Sequence, residues 1–296
     1  MINKAIEKAI LSSSHKNHLF EIMEYAVFPA GKLFRPRLVE AIALDLENKM
    51  SSNHLHLAAG IEIHHAYTLV HDDLPSMDND LMRRGKPSTH AKFGEWKAIL
   101  TGDALLIASF NEVSKIQHPR FQEIFKLMTW ATGAKGLVEG QFRDLEANGN
   151  TNILDVVRIH ELKTGRLIQL STLGAYLLTG NTCYRGKIDF LRLGKNIGVT
   201  FQLLDDLCEL TSKEVSPHEM KINPFIHSGS EALNYLKTTH ASIGEITKKY
   251  QLHHVDSMLK DYFLTNKKLL QTELSTLKVN MSGNVRQIEE WITNFA

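Results

Sequence analysis

The sequence predicts an all-α protein, a single large helical bundle, and three observations carry that reading. Apolar residues recur at helical spacing over most of the chain, no sustained period-2 segment bounded by hairpin turns appears, and 7 Pro and 18 Gly in 296 residues leave room for long helices. After Pro36, which suits a helix's first turn, Leu38, Ile42 and Leu46 repeat on one face; Leu55, Ala59, Ile63, Tyr67 and Val70 do the same up to Asp72. Further amphipathic stretches run through 96–115, 119–142, 153–178, 185–210, 230–249, 252–275 and 283–295. The stretch 185–210 is apolar on more than one face, as expected of a helix at the centre of a bundle. The breaks at 86–95, 117–119, 146–152, 179–186, 213–224 and 281–284 are short. None resembles a domain linker and no fixed-period repeat appears, so 1–296 read as one domain.

Composition narrows the function classes. With 34 Lys+Arg against 33 Asp+Glu the net charge is +1, which removes the electrostatic case for a nucleic-acid binder or a polybasic membrane protein. Apolar residues at 43% and charged residues at 23% are near the globular average. Cys183 and Cys208 fit a reduced protein better than a disulfide framework, and neither has a zinc-site spacing. The first twenty residues lack the apolar run of a signal peptide, and no run approaches the roughly 20 apolar residues of a membrane span. A cytoplasmic protein without stable membrane insertion is expected.

Charge, where it acts, is clustered. Asp72, Asp73, Asp78 and Asp80 are packed into nine positions, directly after an apolar helix and before Arg83, Arg84 and Lys86. Like charges at this spacing repel one another, and a divalent cation would relieve the repulsion. Oxygen-only ligands favour Mg²⁺, with Mn²⁺ as the alternative, and Mg²⁺ completes its shell with water and substrate phosphates that the neighbouring cations can hold. On a regular helix Asp78 would sit about 240° round from Asp72. Pro75 lacks the donor for a bond to His71, so the helix is expected to be broken or bulged at Leu74-Pro75, returning Asp78 to the face of Asp72. A solvated acidic turn is the plainer alternative.

The second cluster lies in GVTFQLLDDLCEL, 198–210, where Gln202, Asp205 and Glu209 share one helical face with Asp206 beside them. Carboxylates among so many apolar neighbours are expensive to bury without cations, which points to an acidic patch facing a cavity; two such helix ends facing each other would build a metal-diphosphate site. Three basic segments could supply counter-charge. AGKLFRPRL places Lys32, Arg35 and Arg37 at a helix start, HELKTGRLI places Lys163 and Thr164 before Gly165, and Lys221 precedes Asn223-Pro224.

From about Pro29 to Gly229 the chain resembles the trans-prenyl diphosphate synthase family, nearest its bacterial farnesyl diphosphate synthases. The matching segments come in order: GKLFRP, HAYTLVHDDLPSMDND with RRGKPSTH, LTGDALL, GLVEGQFRDLE, HELKTGRLI and GVTFQLLDDLCE. The resemblance implies an isoprenoid-synthase helical bundle around a deep central cavity, a homodimer, and three Mg²⁺ ions. It also implies Asp72 and Asp78 as direct metal ligands with Asp73 in support, and Asp205 as ligand of the third ion with Asp206 and Glu209 filling the remaining acidic places. Arg83, Lys163, Thr164, Gln202 and Lys221 then match the allylic diphosphate site, and Lys32, Arg35, His65 and Arg84 the isopentenyl diphosphate site. The implied reaction ionises the allylic diphosphate, lets the isopentenyl double bond attack the allylic carbon, and returns a proton to the released diphosphate. Lys163, Asp72, Asp78 and Asp205 are its catalytic residues. Tyr67 and Thr68, five and four positions before Asp72, would limit the product to C15 farnesyl diphosphate.

Several positions depart from the family pattern. Glu209 stands where Asp is usual, Leu81 where an acid is frequent, and Leu33 where an Arg is common. The segment between Glu209 and Lys221 is short and lacks a glycine-rich stretch, with Lys213 as a substitute for its lysine. The alternatives are a geranyl or geranylgeranyl diphosphate synthase, or a weakly active or regulatory paralogue. An HD-type phosphohydrolase built on His71-Asp72 leaves the RRGKP, KTG and FQLLDD segments unexplained, and a terpene cyclase would not need Lys32, Arg35 and Arg84.

Overall fold

The computed structural model describes residues 1–148, 151–180, 182–212, 214–281 and 285–294. Contacts divide the chain into two compact units, Met1–Met128 with Gly174–Thr182, and Thr129–Leu173 with Cys183–Ala296. Both are helical, and among the described residues the only sheet is a pair of two-residue strands.

In the first unit α1 (Ile2–Ser13) and α2 (His18–Val27) precede α3 (Phe34–Glu47) and α4 (Ser52–Asp72). Asn17 caps α2 by accepting from the Phe20 amide, and Ser51 with His54 closes a capping box at α4. Pro36 lies in the first turn of α3, where a missing amide proton leaves nothing unsatisfied. After α4 come β1 (Met82–Arg83), β2 (Lys86–Pro87), α5 (Thr89–Phe93) and α6 (Glu95–Ser114). One face of α4 is packed on α6: His64 Nδ1 lies 3.0 Å from Ser109 Oγ, and His71 Nε2 lies 3.0 Å from the Ile99 carbonyl oxygen. Ile6, Ile10, Ala59, Ile63, Tyr67 and Leu105 form the adjoining core.

The helices α7 (Phe121–Thr132), α8 (Leu137–Glu146) and α9 (Ile153–His160) follow. A π-helical turn, Glu161–Gly165, joins α9 to α10 (Arg166–Leu178). The longest helix, α11 (Tyr184–Glu209), buries Phe190, Leu193, Leu203, Leu204 and Leu207, matching its apolar reading on more than one face. The remaining helices are α12 (Pro217–Ile222), α13 (Pro224–His227), α14 (Gly229–Tyr250), α15 (His253–Thr272), α16 (Leu274–Asn280) and α17 (Val285–Asn294).

The helical reading holds for most of the chain, and the differences have local causes. The stretch 119–142 is two helices, because residues 133–136 between them include Gly133 and Gly136 and leave helical geometry. Similarly, 252–275 divides at Glu273 into α15 and α16. Two breaks hold short helices, α5 and α12. The N-terminal helices α1 and α2, absent from the periodic reading, are short and belong to the same core as α4 and α6.

Candidate active site

α4 stops at Asp72 and the chain folds back on the helix end. The Leu74 amide donates to the His71 carbonyl (3.1 Å), the Met77 amide to Leu74 (2.9 Å), and the Asp78 amide to the carbonyl of Asp72 (2.9 Å). Pro75, which has no amide proton, falls where the helix has already ended. The expected break is therefore a closed turn, with the backbone of Asp78 returned to that of Asp72. Asp78 is exposed and Asp72 half-buried, so both carboxylates reach solvent.

Asp73 turns the other way and is 2% exposed. Its Oδ1 accepts from Arg83 Nε (2.8 Å) and Nη2 (2.5 Å), and Arg83 also reaches Asp80 Oδ2 (2.5 Å). Burial raises the Asp73 carboxyl above its ordinary range against the pull of Arg83. Burial opposes the charge on Arg83, but Asp73 and Asp80 hold its guanidinium above its ordinary value. Asp73 and Asp80 thus fix Arg83, whose guanidinium also lies within reach of the charge on Asp72.

Arg84 and Gly85, both at positive φ (53° and 76°), form the turn between β1 and β2, in which Arg83 pairs with Lys86. This turn sends Arg83 towards Asp73 and Arg84 to a different set of partners. Arg84 Nη1 donates to the carbonyls of Val27 (3.1 Å) and Pro29 (3.2 Å), and its Nη2 lies 3.8 Å from Glu62 Oε1. Arg35 faces the same carboxylate, and its Nε is buried with no hydrogen-bond partner. His65 sits among these groups; burial, then Arg35 and Arg84, push its imidazole well below its ordinary value, so it is neutral. Arg35 and Arg84 therefore come together around Glu62, which burial raises against them, and His65 lies near both arginines. Lys32 is exposed on the segment leading into α3. Tyr67 and Thr68 are each 8% exposed, and the Tyr67 ring stands edge-on to His64 at 4.5 Å and to His71 at 5.8 Å.

In the second unit the π-helical turn presents Lys163 and Thr164. Lys163 Nζ pairs with Asp144 Oδ2 of α8 (2.5 Å), and Thr164 Oγ1 donates to Gln202 Oε1 of α11 (2.9 Å). Gly165 is pressed against α11 so closely that a Cβ on Gly198 would stand 2.4 Å from its Cα. Asp205 and Glu209 are exposed one helical turn apart on α11. Asp206 is 8% exposed instead, its Oδ2 lying 2.8 Å from His160 Nε2 and its backbone carbonyl accepting from Asn223 Nδ2 (2.8 Å). Lys221 is exposed at the end of α12, two residues before that anchor. Lys213 lies outside the described residues.

Of the predicted acids, Asp72, Asp78, Asp205 and Glu209 present hard oxygen donors to solvent, a donor set that fits Mg²⁺. No group of three His, Cys, Asp or Glu side chains converges on one ion site among the described residues. An ion there would take its other donors from diphosphate oxygens and water, the coordination Mg²⁺ favours. The sequence reading missed Glu62, Asp144 and His160. A lone acid at i, i+3 from His65 on an apolar helix was the signal for Glu62; Asp144 and His160 lie inside matched segments but find their partners only through the fold.

Residues 16–219 match the polyprenyl synthetase family model. The chain is 37% identical over 202 residues to farnesyl diphosphate synthase of Geobacillus stearothermophilus, covering 66% of this chain and 67% of that protein. It is 37% identical over 216 residues to farnesyl diphosphate synthase of Escherichia coli (70% and 72%), and 34% identical over 220 residues to a chloroplastic geranylgeranyl pyrophosphate synthase of Capsicum annuum, where it spans 71% of this chain and 58% of that protein. Among solved structures, a geranyltransferase from Legionella pneumophila superposes with a TM-score of 0.76 at 26% identity, over 92% of this chain and 93% of that one. A geranyltransferase from Helicobacter pylori, complexed with magnesium and isoprenyl diphosphate, gives 0.74 at 27% identity over 88% and 96%.

Proposed function

The chain belongs to the polyprenyl synthetase family and is a prenyltransferase; we propose that it condenses isopentenyl diphosphate with dimethylallyl or geranyl diphosphate to give farnesyl diphosphate and diphosphate. The observation that carries this reading is the closed turn after α4, which returns the backbone of Asp78 to that of Asp72 while Asp73 holds Arg83 within reach of the charge on Asp72. Both units belong to one synthase domain, 1–296, in this reading. Asp72 and Asp78, and Asp205 with Glu209, are its magnesium ligands, with three ions in all and Asp73 in support. Bound magnesium contributes neutralisation of the charge that builds on the departing diphosphate. Arg83, Lys163, Thr164, Gln202 and Lys221 bind and orient the allylic diphosphate. Lys32, Arg35, His65 and Arg84 bind isopentenyl diphosphate, and the unpartnered Nε of Arg35 is a donor ready for an anionic oxygen. The neutral His65 can donate one N–H without adding charge.

Tyr67 supports the C15 product because a buried ring beside His64 blocks a longer tail. Relatives named as geranylgeranyl synthases, at 33–36% identity, carry the C20 alternative. Incubating the protein with Mg²⁺, isopentenyl diphosphate and each allylic primer, followed by chromatography of the dephosphorylated products, separates the readings. C15 product from either primer is expected, with longer product from Tyr67→Ala under excess isopentenyl diphosphate. Absence of any condensation overturns the enzyme assignment, and a C20 wild-type product overturns the role of Tyr67. No helix among the described residues is long and apolar enough to cross a membrane. The homodimer belongs to the proposal as well: Trp96, Ile99, Leu100 and Ile107 of α6 are 65%, 44%, 51% and 66% exposed, an apolar surface that a second copy would cover.

A further inference from the structure

The π-helical turn that carries Lys163 and Thr164 is spanned by an ion pair the reaction does not require. Glu161 and Arg166 are five residues apart, and Arg166 Nη1 lies 3.1 Å from Glu161 Oε1. On a regular α-helix positions i and i+5 diverge by about 140°, so their side chains do not meet. A π-helical turn, closed by i→i+5 bonds, stacks the one over the other. This pair therefore forms in the π register and is lost in the α register.

Both ends are held. Glu161 is 8% exposed and Arg166 5%. Glu161 Oε2 also accepts from Arg158 Nη1 (3.0 Å) and Lys195 Nζ of α11 (3.3 Å). Burial favours the neutral acid, but Lys195, Arg166 and Arg158 hold the Glu161 carboxyl below its ordinary range, so it is charged. Arg166 Nη1 donates to Gln169 Oε1 (2.7 Å), and its guanidinium lies 4.1 Å above the Trp130 ring. The same turn is docked on one stripe of α11: His160 meets Asp206, Thr164 meets Gln202, Gly165 meets Gly198 and Glu161 meets Lys195. A shift to the α register would rotate Lys163 by about 100° and carry it away from Asp144.

We propose that Glu161 and Arg166 are positioning residues that lock the π register and so aim Lys163 and Thr164 at the allylic diphosphate. The inference rests on the prenyltransferase reading for its functional half and on the register for its structural half. Each half has its own measurement. Arg166→Gln and Glu161→Gln each remove the pair, and Arg166→Lys keeps the charge while removing the planar contact with Gln169 and Trp130, so it guards against loss of folding in the other two.

Hydrogen exchange followed by mass spectrometry reads the register without substrate. Faster exchange confined to the peptide around 160–167 is expected in both Gln variants, with a smaller change in Arg166→Lys. Steady-state kinetics read the aim: KM for the allylic diphosphate rises by about tenfold in the Gln variants while KM for isopentenyl diphosphate stays within about twofold, as expected when a supporting contact behind a binding group is lost. Unchanged exchange in folded variants overturns the lock. Faster exchange with both KM values unchanged, or raised equally, overturns the aiming role. If wild type makes no condensation product, the prenyltransferase reading fails, and exchange still decides whether the pair holds the turn.

Discussion

The acidic end of α4 and the acidic end of α11 carry similar residue types but are built differently. At α4 the helix has ended, and Asp78 is returned to Asp72 through a backbone bond, with Asp73 turned inward to hold Arg83. At α11 the helix runs on, and Asp205 and Glu209 are paired by helical spacing alone, with Asp206 turned inward to His160. In both, the inward acid holds a basic neighbour, and the remaining acids are the ones to which the proposed reading assigns magnesium. The first arrangement depends on one closed turn; the second depends on a straight helix and tolerates adjustment of its side chains.

The largest expected effect separates the outward from the inward acids at α4. Asp72→Asn should lower kcat/KM by about 10²–10³, as loss of one charge-stabilising group does, because the amide cannot replace a metal-binding carboxylate. Its stability should change by less than about 0.5 kcal/mol, since Asp72 enters the turn through its backbone carbonyl. Asp73→Asn should instead lose about 1–3 kcal/mol in denaturant unfolding, because the amide oxygen can still accept from Arg83 but the buried negative charge opposite the guanidinium is gone. Equal destabilisation by the two variants would show that the closed turn depends on the Asp72 side chain.

The surroundings of the two helices also titrate differently. Beside α4, burial holds His64 near pKa about 3 against 6.5 in the unfolded chain, and burial also lowers His54 and His65. Beside α11, burial, with Asp205 and Glu209, pushes the Cys208 thiol up to about 12, and burial with Asp205 raises Tyr262. These stay protonated through the acid range and add nothing there; in that unit His240 of α14 is lowered by burial. Between pH 6.5 and about 3 the unfolded chain binds a proton at His64 that the folded chain excludes. Stability therefore falls as pH falls through that window, by about 2 kcal/mol between pH 7 and pH 5 from His64 alone. Urea unfolding should show this slope in wild type and a loss of that share in His64→Gln. Identical slopes would mean that His64 is not held neutral.

The contrast also explains what could be read from the sequence. Both acidic clusters and all three basic segments were legible because their chemistry is local in sequence. The i, i+4 relation of Asp205 and Glu209 needs only helical spacing, and it holds. The return of Asp78 was legible as a break at Pro75, but the bond that makes the return joins backbone groups and leaves no residue pattern. The π-helical turn was not legible: Glu161 to Gly165 fits a continuous helical period, and the extra residue is accommodated by docking on α11. Arg84-Gly85 carried a turn signal in its glycine, yet two strands of two residues are too short for an alternating pattern. Gly133 and Gly136 likewise mark the end of α7, where the apolar period continues across the break.

The smallest expected effect tests whether α11 is the more tolerant end. Glu209 is the last residue of α11, exposed, and one turn from Asp205, so its longer side chain can change rotamer without moving the backbone. An ion that keeps several water ligands can accept a carboxylate through one of them, and one methylene then alters the contact little. Glu209→Asp should change kcat/KM by less than about threefold and leave the Mg²⁺ concentration for half-maximal rate nearly unchanged, because a water can absorb the difference. A change of about tenfold or more in either measurement would mean direct ligation at fixed geometry, with the end of α11 as strict as the closed turn of α4.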